Sequence, residues 1–295
     1  MTILVTGGAG FIGRNLVDLL YYYGHKVVII DDLSTGNKDV FKKYKGKKGS
    51  ITNKKFLNKI FSKYKFDEVY HLAALARIQR SWDHPDQTYQ VNVNGTYNIL
   101  EMCRVYKVPN VFITSSSSVY AGFTIKNKAK PIKIDTEQIP LNPYAYHKHL
   151  DEQLVGMFRK CWPEMNIIIG RPFNVYGKGQ KLHDEYATVI PKFANAKKNG
   201  EEIVVFGDGS QTRDFTNVED VVNMMLHVMN TSKNGDFNLC SGNPISIKDI
   251  AIAFNHPYKY IENPRKGEAQ WTWGYNNTGY KPVYNLIDYI KENYA

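Results

Sequence analysis

The sequence predicts an α/β protein built on a doubly wound parallel sheet, with a smaller, trimmed α/β domain toward its C-terminal end. Three observations predict it. Short apolar runs alternate with segments of helical periodicity through residues 2–177. The first run empties into a glycine-rich loop that leads directly into a helix. The second run ends in an aspartate, Asp31, about 20 residues beyond that loop.

TILVT (2–6) is an apolar run of strand length that stops at glycine. FIGRNLVDLLYYYG (11–24) places apolar residues at 12, 16, 19 and 20, one stripe of a helix, and Gly24 supplies its stop. HKVVIID (25–31) and FDEVYHLAA (66–74) read as buried strands. VNVNGTYNILEMCRVY (91–106) reads as a helix and NVFITSSS (110–117) as a strand. A helix starts at NPYAYHK (142–148), with Asn142 as its cap and Pro143 in its first turn. NIIIGRPFNVYG (166–177) follows as the next strand. Strands that recur with helices between them run parallel, and the helices cover both faces. No internal repeat or low-complexity linker interrupts the chain.

In the loop TGGAGFIGRN (6–15), Gly7, Gly10 and Gly13 sit three apart. A loop between a strand and a helix lets backbone N–H groups and the helix N-terminus meet a pyrophosphate, so a Rossmann-type dinucleotide site is expected. The plain alternative is a tight turn with no ligand. Asp31 stands where a ribose reader should be. A carboxylate there accepts hydrogen bonds from both ribose hydroxyls and repels a 2′-phosphate, and no arginine stands beside Asp31 and Asp32. NAD is therefore expected over NADP. Asp32 reads more simply as a turn residue.

Tyr144 and Lys148 are four apart on one helix face, and Tyr146 points elsewhere, as a packing residue. A phenol with a pKa near 10 is a poor base at neutral pH. A nearby ammonium, together with the positive nicotinamide ring of NAD⁺, stabilises phenolate and lowers that pKa. Tyr144 is the candidate base and Lys148 its electrostatic partner. A hydroxyl must also orient the substrate oxygen, and ITSSSSVY (113–120) offers four serines at the carboxyl edge of the sheet, where ligands bind in such folds.

The chain has 295 residues, three scattered cysteines and a net charge of +10. The cysteines, Cys103, Cys161 and Cys240, suit a reducing cytoplasm better than a disulfide framework, and no Cys/His spacing resembles a metal site. No apolar run reaches membrane-spanning length, and the start runs straight into a strand without the pattern of a signal peptide. The basic excess peaks between Lys42 and Lys65. Arginine is sparse there and no aromatic array follows it, so a solvated lysine face is expected rather than a nucleic-acid site.

The glycine loop, Asp31, HLAA (71–74), NVNGT (92–96), SSSSVY (115–120), Tyr144-x-x-x-Lys148, RPFNVYG (171–177) and DGSQTRDF (208–215) occur in that order. Together they resemble the extended short-chain dehydrogenase/reductase family in its nucleotide-sugar 4-epimerase branch, over roughly the first 245 residues. The resemblance implies Ser116 as the active hydroxyl beside Tyr144 and Lys148. It implies NAD contacts for Gly7, Gly10, Phe11, Ile12, Gly13, Asp31, Asp32, Leu72, Ala73, Ala74, Asn92, Tyr144 and Lys148. Ser50 and Ile51 of GSI (49–51) match the adenine side, where relatives usually carry GDI. Asn174, Arg213 and Arg265 match positions that hold the UDP diphosphate, a task suited to the forked donors of arginine. Thr188, Val189 and Phe206 match the uridine wall. The plain readings are an ion pair with Asp214 or Asp220 for Arg213, and solvent exposure for Arg265.

Epimerisation, dehydration and decarboxylation share this plan. Dehydratases carry Asp and Glu directly after the active hydroxyl, and decarboxylases usually a Glu, whereas this chain has Ser117 and Ser118. Serine has no carboxyl-like pKa with which to move a proton, so 4-epimerisation is expected. UDP-glucuronate epimerase, dehydratase or decarboxylase, and a non-catalytic NAD-binding scaffold, are the alternatives. Thr272, seven beyond Arg265, matches a position where a small residue admits a 2-acetamido group. LARIQRSWDHP (75–85) also resembles N-acetylhexosamine epimerases. UDP-GlcNAc/UDP-GalNAc is favoured, with UDP-Glc/UDP-Gal tolerated. The expected NAD-binding domain is 1–172 plus roughly 212–235, and the nucleotide-sugar domain 173–211 and 236–295. Relatives often pair through a four-helix bundle, which implies a homodimer using the 91–106 and 144–160 helices.

Overall fold

In the computed structural model, residues 1–126, 130–181, 187–262 and 270–294 are described, apart from the side chains of 125 and 126. The first strand, β1 (Thr2–Thr6), runs into α1 (Phe11–Tyr22) and β2 (Lys26–Asp31). A helical turn α2 (Val40–Lys43), β3 (Gly46–Lys48), α3 (Lys54–Lys63) and β4 (Glu68–His71) follow. Next come α4 (Ile78–Asp83), α5 (Pro85–Tyr89), a π turn (Gln90–Asn94), α6 (Gly95–Val105) and β5 (Asn110–Thr114). A 3₁₀ turn (Ser117–Tyr120) and α7 (Ala121–Lys126) precede α8 (Pro143–Cys161) and β6 (Asn166–Pro172). The expected first-half elements are all present, each within a few residues of its expected start; the 66–74 strand closes at His71, the 110–117 strand at Thr114 and the 166–177 strand at Pro172, and the 91–106 helix opens as a π turn.

A seven-stranded sheet runs in the order β11-β6-β5-β4-β1-β2-β3, where β11 is Asp236–Leu239. Neighbouring strands from β3 through β1 to β6 pair in parallel. This is the Rossmann-type sheet that the alternation predicts. Its strand order reverses at β1, whose two neighbours are β2 and β4. At such a switch point the loops leaving adjacent strands diverge and open a crevice at the carboxyl ends. Thr6 and His71, the last residues of β1 and β4, are register partners there.

Contacts divide the chain into two units. The first holds Met1–Val119, Pro140–Arg171 and Met225–Phe237. Its core packs Leu4, Val28, Ile30, Val69, Val111, Ile113, Ile167 and Ile169 of the sheet against Leu57, Ile60 and Phe61 of α3, Ile99 and Leu100 of α6, and Val155 and Phe158 of α8. Buried strands of a parallel sheet read as continuous β-branched runs because both faces are covered. The lysines from Lys42 to Lys65 are all exposed, as a solvated face requires.

The second unit holds Tyr120–Ile139, Pro172–Met224 and Asn238–Ala295. One boundary falls between Arg171 and Pro172, and 120–139 and 212–224 pack with the second unit. Periodicity reports how a segment folds, and not which neighbour it packs on. Its elements are β7 (Val175–Tyr176), α9 (Val189–Asn199), β8 (Ile203–Phe206), β9 (Thr212–Asp214), β10 (Thr216–Asn217), the first part of α10 (Val218–Thr231), β12 (Pro244–Ser246), α11 (Ile247–Ala253), β13 (Tyr258–Ile261) and α12 (Leu286–Tyr294). Tyr176, Ile190, Phe193, Ile203, Val205, Ile250, Phe254 and Ile290 form its core. Among the described residues, no helix is long and apolar enough to cross a membrane.

Candidate active site

The loop after β1 can be built only with glycine. Gly7 adopts φ +71°, and a Cβ on it would meet the Ala73 backbone nitrogen at 2.7 Å. A Cβ on Gly13 would lie 2.1 Å from the Gly7 carbonyl oxygen. These contacts seat the start of α1 against the ends of β1 and β4. Gly10 is the N-cap of α1, with no capping side chain and no acid in the first turn. The amides of Phe11, Ile12 and Gly13 therefore open the helix without a side-chain acceptor, and the helix dipole adds positive potential there. An anionic pyrophosphate fits this terminus.

At the end of β2, Asp31 is buried and accepts hydrogen bonds from the Ala9 amide (3.0 Å) and the Leu33 amide (2.8 Å). Burial raises its pKa, against those two amides. One carboxylate thus ties the glycine loop to the β2 turn, and a carboxylate with four acceptor sites keeps capacity for ribose hydroxyls. Asp32 is exposed and closes a local turn onto the Ser34 amide and hydroxyl. Ser50 bonds only locally, to Thr52, and Ile51 is core, packed against Gly95. Leu72, Ala73 and Ala74 line the exit of β4, half-buried. Asn92 is fully buried and clamps Leu75 by both its backbone groups, at 2.8 and 3.2 Å. Its visible work is to hold the loop that carries Leu72–Ala74.

The helix α8 begins as its sequence demands: Asn142 accepts from the Ala145 amide at 2.9 Å, and Pro143 occupies the first turn. The Tyr144 amide donates to Ser81 Oγ at 3.0 Å, which fixes this end against α4. Tyr144 is 8 % exposed, while Tyr146, expected to pack, is 54 % exposed. It lies on the opposite side of α8, which the core does not cover. Lys148 is buried, and its ammonium donates to Thr114 O (2.9 Å) and to Asp151 Oδ2 (3.1 Å). Burial works to lower its pKa, but the charges of Asp151, Tyr144 and Glu152 outweigh it and raise it. Lys148 is thus a permanent cation in the field of Tyr144, at the end of β5.

The four serines after β5 are not equivalent. Ser115 is buried and spends its hydroxyl on Glu152 at 2.5 Å. Glu152 also takes a two-pronged ion pair from Arg171, at 2.8 and 2.6 Å. Ser118 Oγ is buried with no partner. Ser116 Oγ accepts from the Ser118 amide at 3.2 Å and keeps its own proton to donate. Beneath Lys148, His71 bridges Thr6 (2.7 Å) and Thr96 (3.0 Å). The Thr96 proton goes to Asn92 O at 2.6 Å, so His71 Nε2–H donates to Thr96 and Nδ1 accepts from Thr6. Burial, then the Lys148 charge, holds its pKa at about 3, so the imidazole is neutral. The sequence analysis missed Asp151, Glu152, Arg171 and His71. Spacing of three and four from Lys148 on one helix was the signal available for Asp151 and Glu152.

In the second unit, Asn174 is exposed, and its Nδ2 donates to Asp214 O at 3.1 Å. Arg213 donates to Thr212 O at 2.8 Å. Asp214 accepts from the Ser241, Gly242 and Gly274 amides, and Asp220 from the Val283 and Tyr284 amides. Thr188 caps α9 by position and accepts from Gln180 at 3.1 Å, with Val189 half-buried beside it. Phe206 ends β8, half-buried. Thr272 donates its amide to Thr212 O at 3.1 Å, with its hydroxyl 3.4 Å from the same oxygen. The nearby pocket of about 170 Å³ is lined by Trp271 and Trp273 rather than by Thr272. Arg265 lies outside the described residues.

The model of the "NAD dependent epimerase/dehydratase family" matches residues 3–240. The UDP-glucose 4-epimerase of Mycolicibacterium smegmatis is 36 % identical over 260 residues, 86 % of this chain and 81 % of that protein. The crystal structure of a Thermotoga maritima UDP-glucose 4-epimerase with UDP-glucose superposes with a TM-score of 0.92 at 29 % identity, over 99 % of this chain and 96 % of that one. A UDP-N-acetylglucosamine 4-epimerase of Methanobrevibacter ruminantium, in complex with UDP-N-acetylmuramic acid, gives 0.90 at 29 % identity, over 99 % and 96 %.

Proposed function

Because the chain belongs to the NAD dependent epimerase/dehydratase family, and is therefore an NAD-dependent enzyme, we propose that it inverts C4 of a UDP-hexose. UDP-GlcNAc/UDP-GalNAc is the favoured pair, with UDP-Glc/UDP-Gal also turned over. The observation that carries this reading is the Tyr144–Lys148 pair, with a buried ammonium held at the sheet edge by Thr114 O and Asp151.

When bound, NAD supplies the acceptor and donor of the C4 hydride. Gly7, Gly10, Phe11, Ile12 and Gly13 would hold its pyrophosphate and Asp31 its ribose, with Leu72, Ala73 and Ala74 lining the site and Asn92 holding their loop. Tyr144 Oη removes the proton of the C4 hydroxyl. Lys148 and the positive end of α8 stabilise the phenolate so formed. Ser116 donates to the C4 oxygen and orients it. The sugar, oxidised at C4 to a ketone, turns over; the hydride would return to the opposite face of C4, which inverts it, while Tyr144 Oη gives the proton back to O4. Asn174 and Arg213, with Arg265, hold the UDP diphosphate through this turn, and Thr188, Val189 and Phe206 its uridine. Dehydration or decarboxylation would need a further acid or base beside Ser116. Ser117 and Ser118 supply neither.

The acetylated sugar is supported by the structural likeness to a UDP-N-acetylglucosamine 4-epimerase and by residues 75–85; Thr272 enters as the small residue next to the acetamido group. We place the enzyme in the cytoplasm as a homodimer. Cys103, Cys161 and Cys240, unpaired, suit the compartment. Exposed Tyr97 and Val105 on α6 and Leu150 and Met157 on α8 support the dimer. A UDP-sugar panel, with NAD content measured on the same sample, tests the reading. Faster turnover of the plain hexoses would reject the acetylated choice. Turnover by Tyr144→Phe at the wild-type rate would reject the mechanism.

A further inference from the structure

We propose that Asp151 is a positioning residue for this reaction: its carboxylate fixes the Lys148 ammonium and, by offsetting part of its charge, sets the pH at which Tyr144 becomes a base. The proposal deepens the reading of Tyr144 as the base and rests on it. Asp151 follows Lys148 by about one turn on α8 and is fully buried, with Oδ2 3.1 Å from Nζ. Thr114 O holds the same ammonium at 2.9 Å from the end of β5. An ammonium has three N–H donors, so two fixed anchors aim the third.

The other carboxylate oxygen, Oδ1, is buried without a hydrogen-bond partner. The Thr96 hydroxyl stands beside this carboxyl and works to lower its pKa, while its hydrogen bond at 2.6 Å goes to Asn92 O. An anion with a bare buried oxygen is costly, so this carboxyl takes up a proton readily. Burial pushes its pKa up to about 6, against the pull of Lys148. The groups acting on it are Lys148, Thr96 and Glu152. Glu152 is itself committed to Arg171 and Ser115, and His71 on β4 stays neutral against Lys148. Charges on the other elements packed on α8 — Arg80, Asp83, His84 and Asp86 from α4, α5 and their junction, Glu101 and Arg104 from α6 — all reach solvent. Asp151 is thus the buried anion bonded to the ammonium that Tyr144 depends on.

With Asp151 ionised, part of the ammonium's field at the phenol is cancelled. With an amide in its place, and the ammonium still held by Thr114 O and favoured by the charges of Tyr144 and Glu152, the field acts without that offset and phenolate forms at lower pH. Asp151→Asn keeps the volume and an acceptor oxygen while removing the charge. Two titrations of the NAD-loaded enzyme read the effect: tyrosinate absorbance, taken as wild type minus Tyr144→Phe, and the acidic limb of kcat against pH. Both are expected to move down by about one pH unit in Asp151→Asn, with KM and NAD content unchanged. Asp151→Glu, which restores the charge, is expected to return both toward wild type. Titrations that stay in place or move upward in Asp151→Asn, while Tyr144→Phe is inactive, overturn the role of Asp151 alone. A fully active Tyr144→Phe overturns the base assignment instead.

Discussion

Replacing His71 with glutamine should reverse the direction in which the two buried groups around Lys148 change stability with acid. An unfolded imidazole takes its proton near 6.5, whereas folded His71 holds off until about 3. As pH falls below 6.5 the unfolded state gains a proton that the folded state refuses, so stability is lost. Between about pH 7.5 and about pH 5 this amounts to about 2 kcal/mol. Asp151 works the other way. Its unfolded value is 3.8 and its folded value about 6, so the folded state binds the proton first. Its contribution is full below 3.8 and is lost as pH rises through about 6. Over the same interval it gains about 1 kcal/mol on acidification. Wild type should therefore lose about 1 kcal/mol from the pair, His71→Gln should gain about 1, and Asp151→Asn should lose about 2. Urea unfolding followed by circular dichroism at both pH values, with each variant referenced to wild type, cancels every other titration. If His71→Gln runs parallel to wild type across the interval, the buried neutral imidazole is wrong.

Three further outcomes follow from particular contacts. In Gly13→Ala the new methyl must displace the Gly7 carbonyl, 2.1 Å from its ideal position. The purified variant should lose bound NAD, measured after denaturation, and about 1–3 kcal/mol of stability. Glu152→Gln removes the two-pronged carboxylate from the buried Arg171 guanidinium, which keeps a longer contact to Asp236 at 3.6 Å, and should cost up to about 3–5 kcal/mol by chemical denaturation. A double replacement by apolar residues should cost much less, and an equal cost would refute the ion-pair account. Asp214→Asn keeps one acceptor oxygen and turns an amide donor on either the Ser241 N–H at Oδ1 or the Gly242 and Gly274 N–H groups at Oδ2. A loss of about 3 kcal/mol is expected, read as faster proteolysis of the second unit.

Some of the site was legible because local rules governed it. Gly7 and Gly13 announce a close backbone approach, Asn142 and Pro143 a helix start, and Tyr144 with Lys148 a shared helix face. Asp32 behaves as the turn residue its context suggested. The four serines shared one local context, and only Glu152, brought up by α8, singles out Ser115 as structural. Asn92 carries a side chain suited to ligand binding, yet its partner is the Leu75 backbone. The resemblance implies Thr272 as a small residue beside the sugar, and the pocket next to it is lined by the Trp271 and Trp273 rings.

By itself the sequence determined the layered sheet, the glycine-built turn at the end of β1 and the phenol–ammonium pair. Each depends on neighbours within one turn or one loop, where hydrophobic period, steric freedom and spacing leave few options. Only the tertiary structure decided the electrostatic setting of that pair. In the sequence Asp151 is one more polar residue of a helix; burial makes it the counter-charge of Lys148. Arg171 is joined to Glu152, and His71 to Thr6 and Thr96, across separate strands and helices. The strength of a charge depends on what the fold has removed from water around it, and no local pattern carries that information.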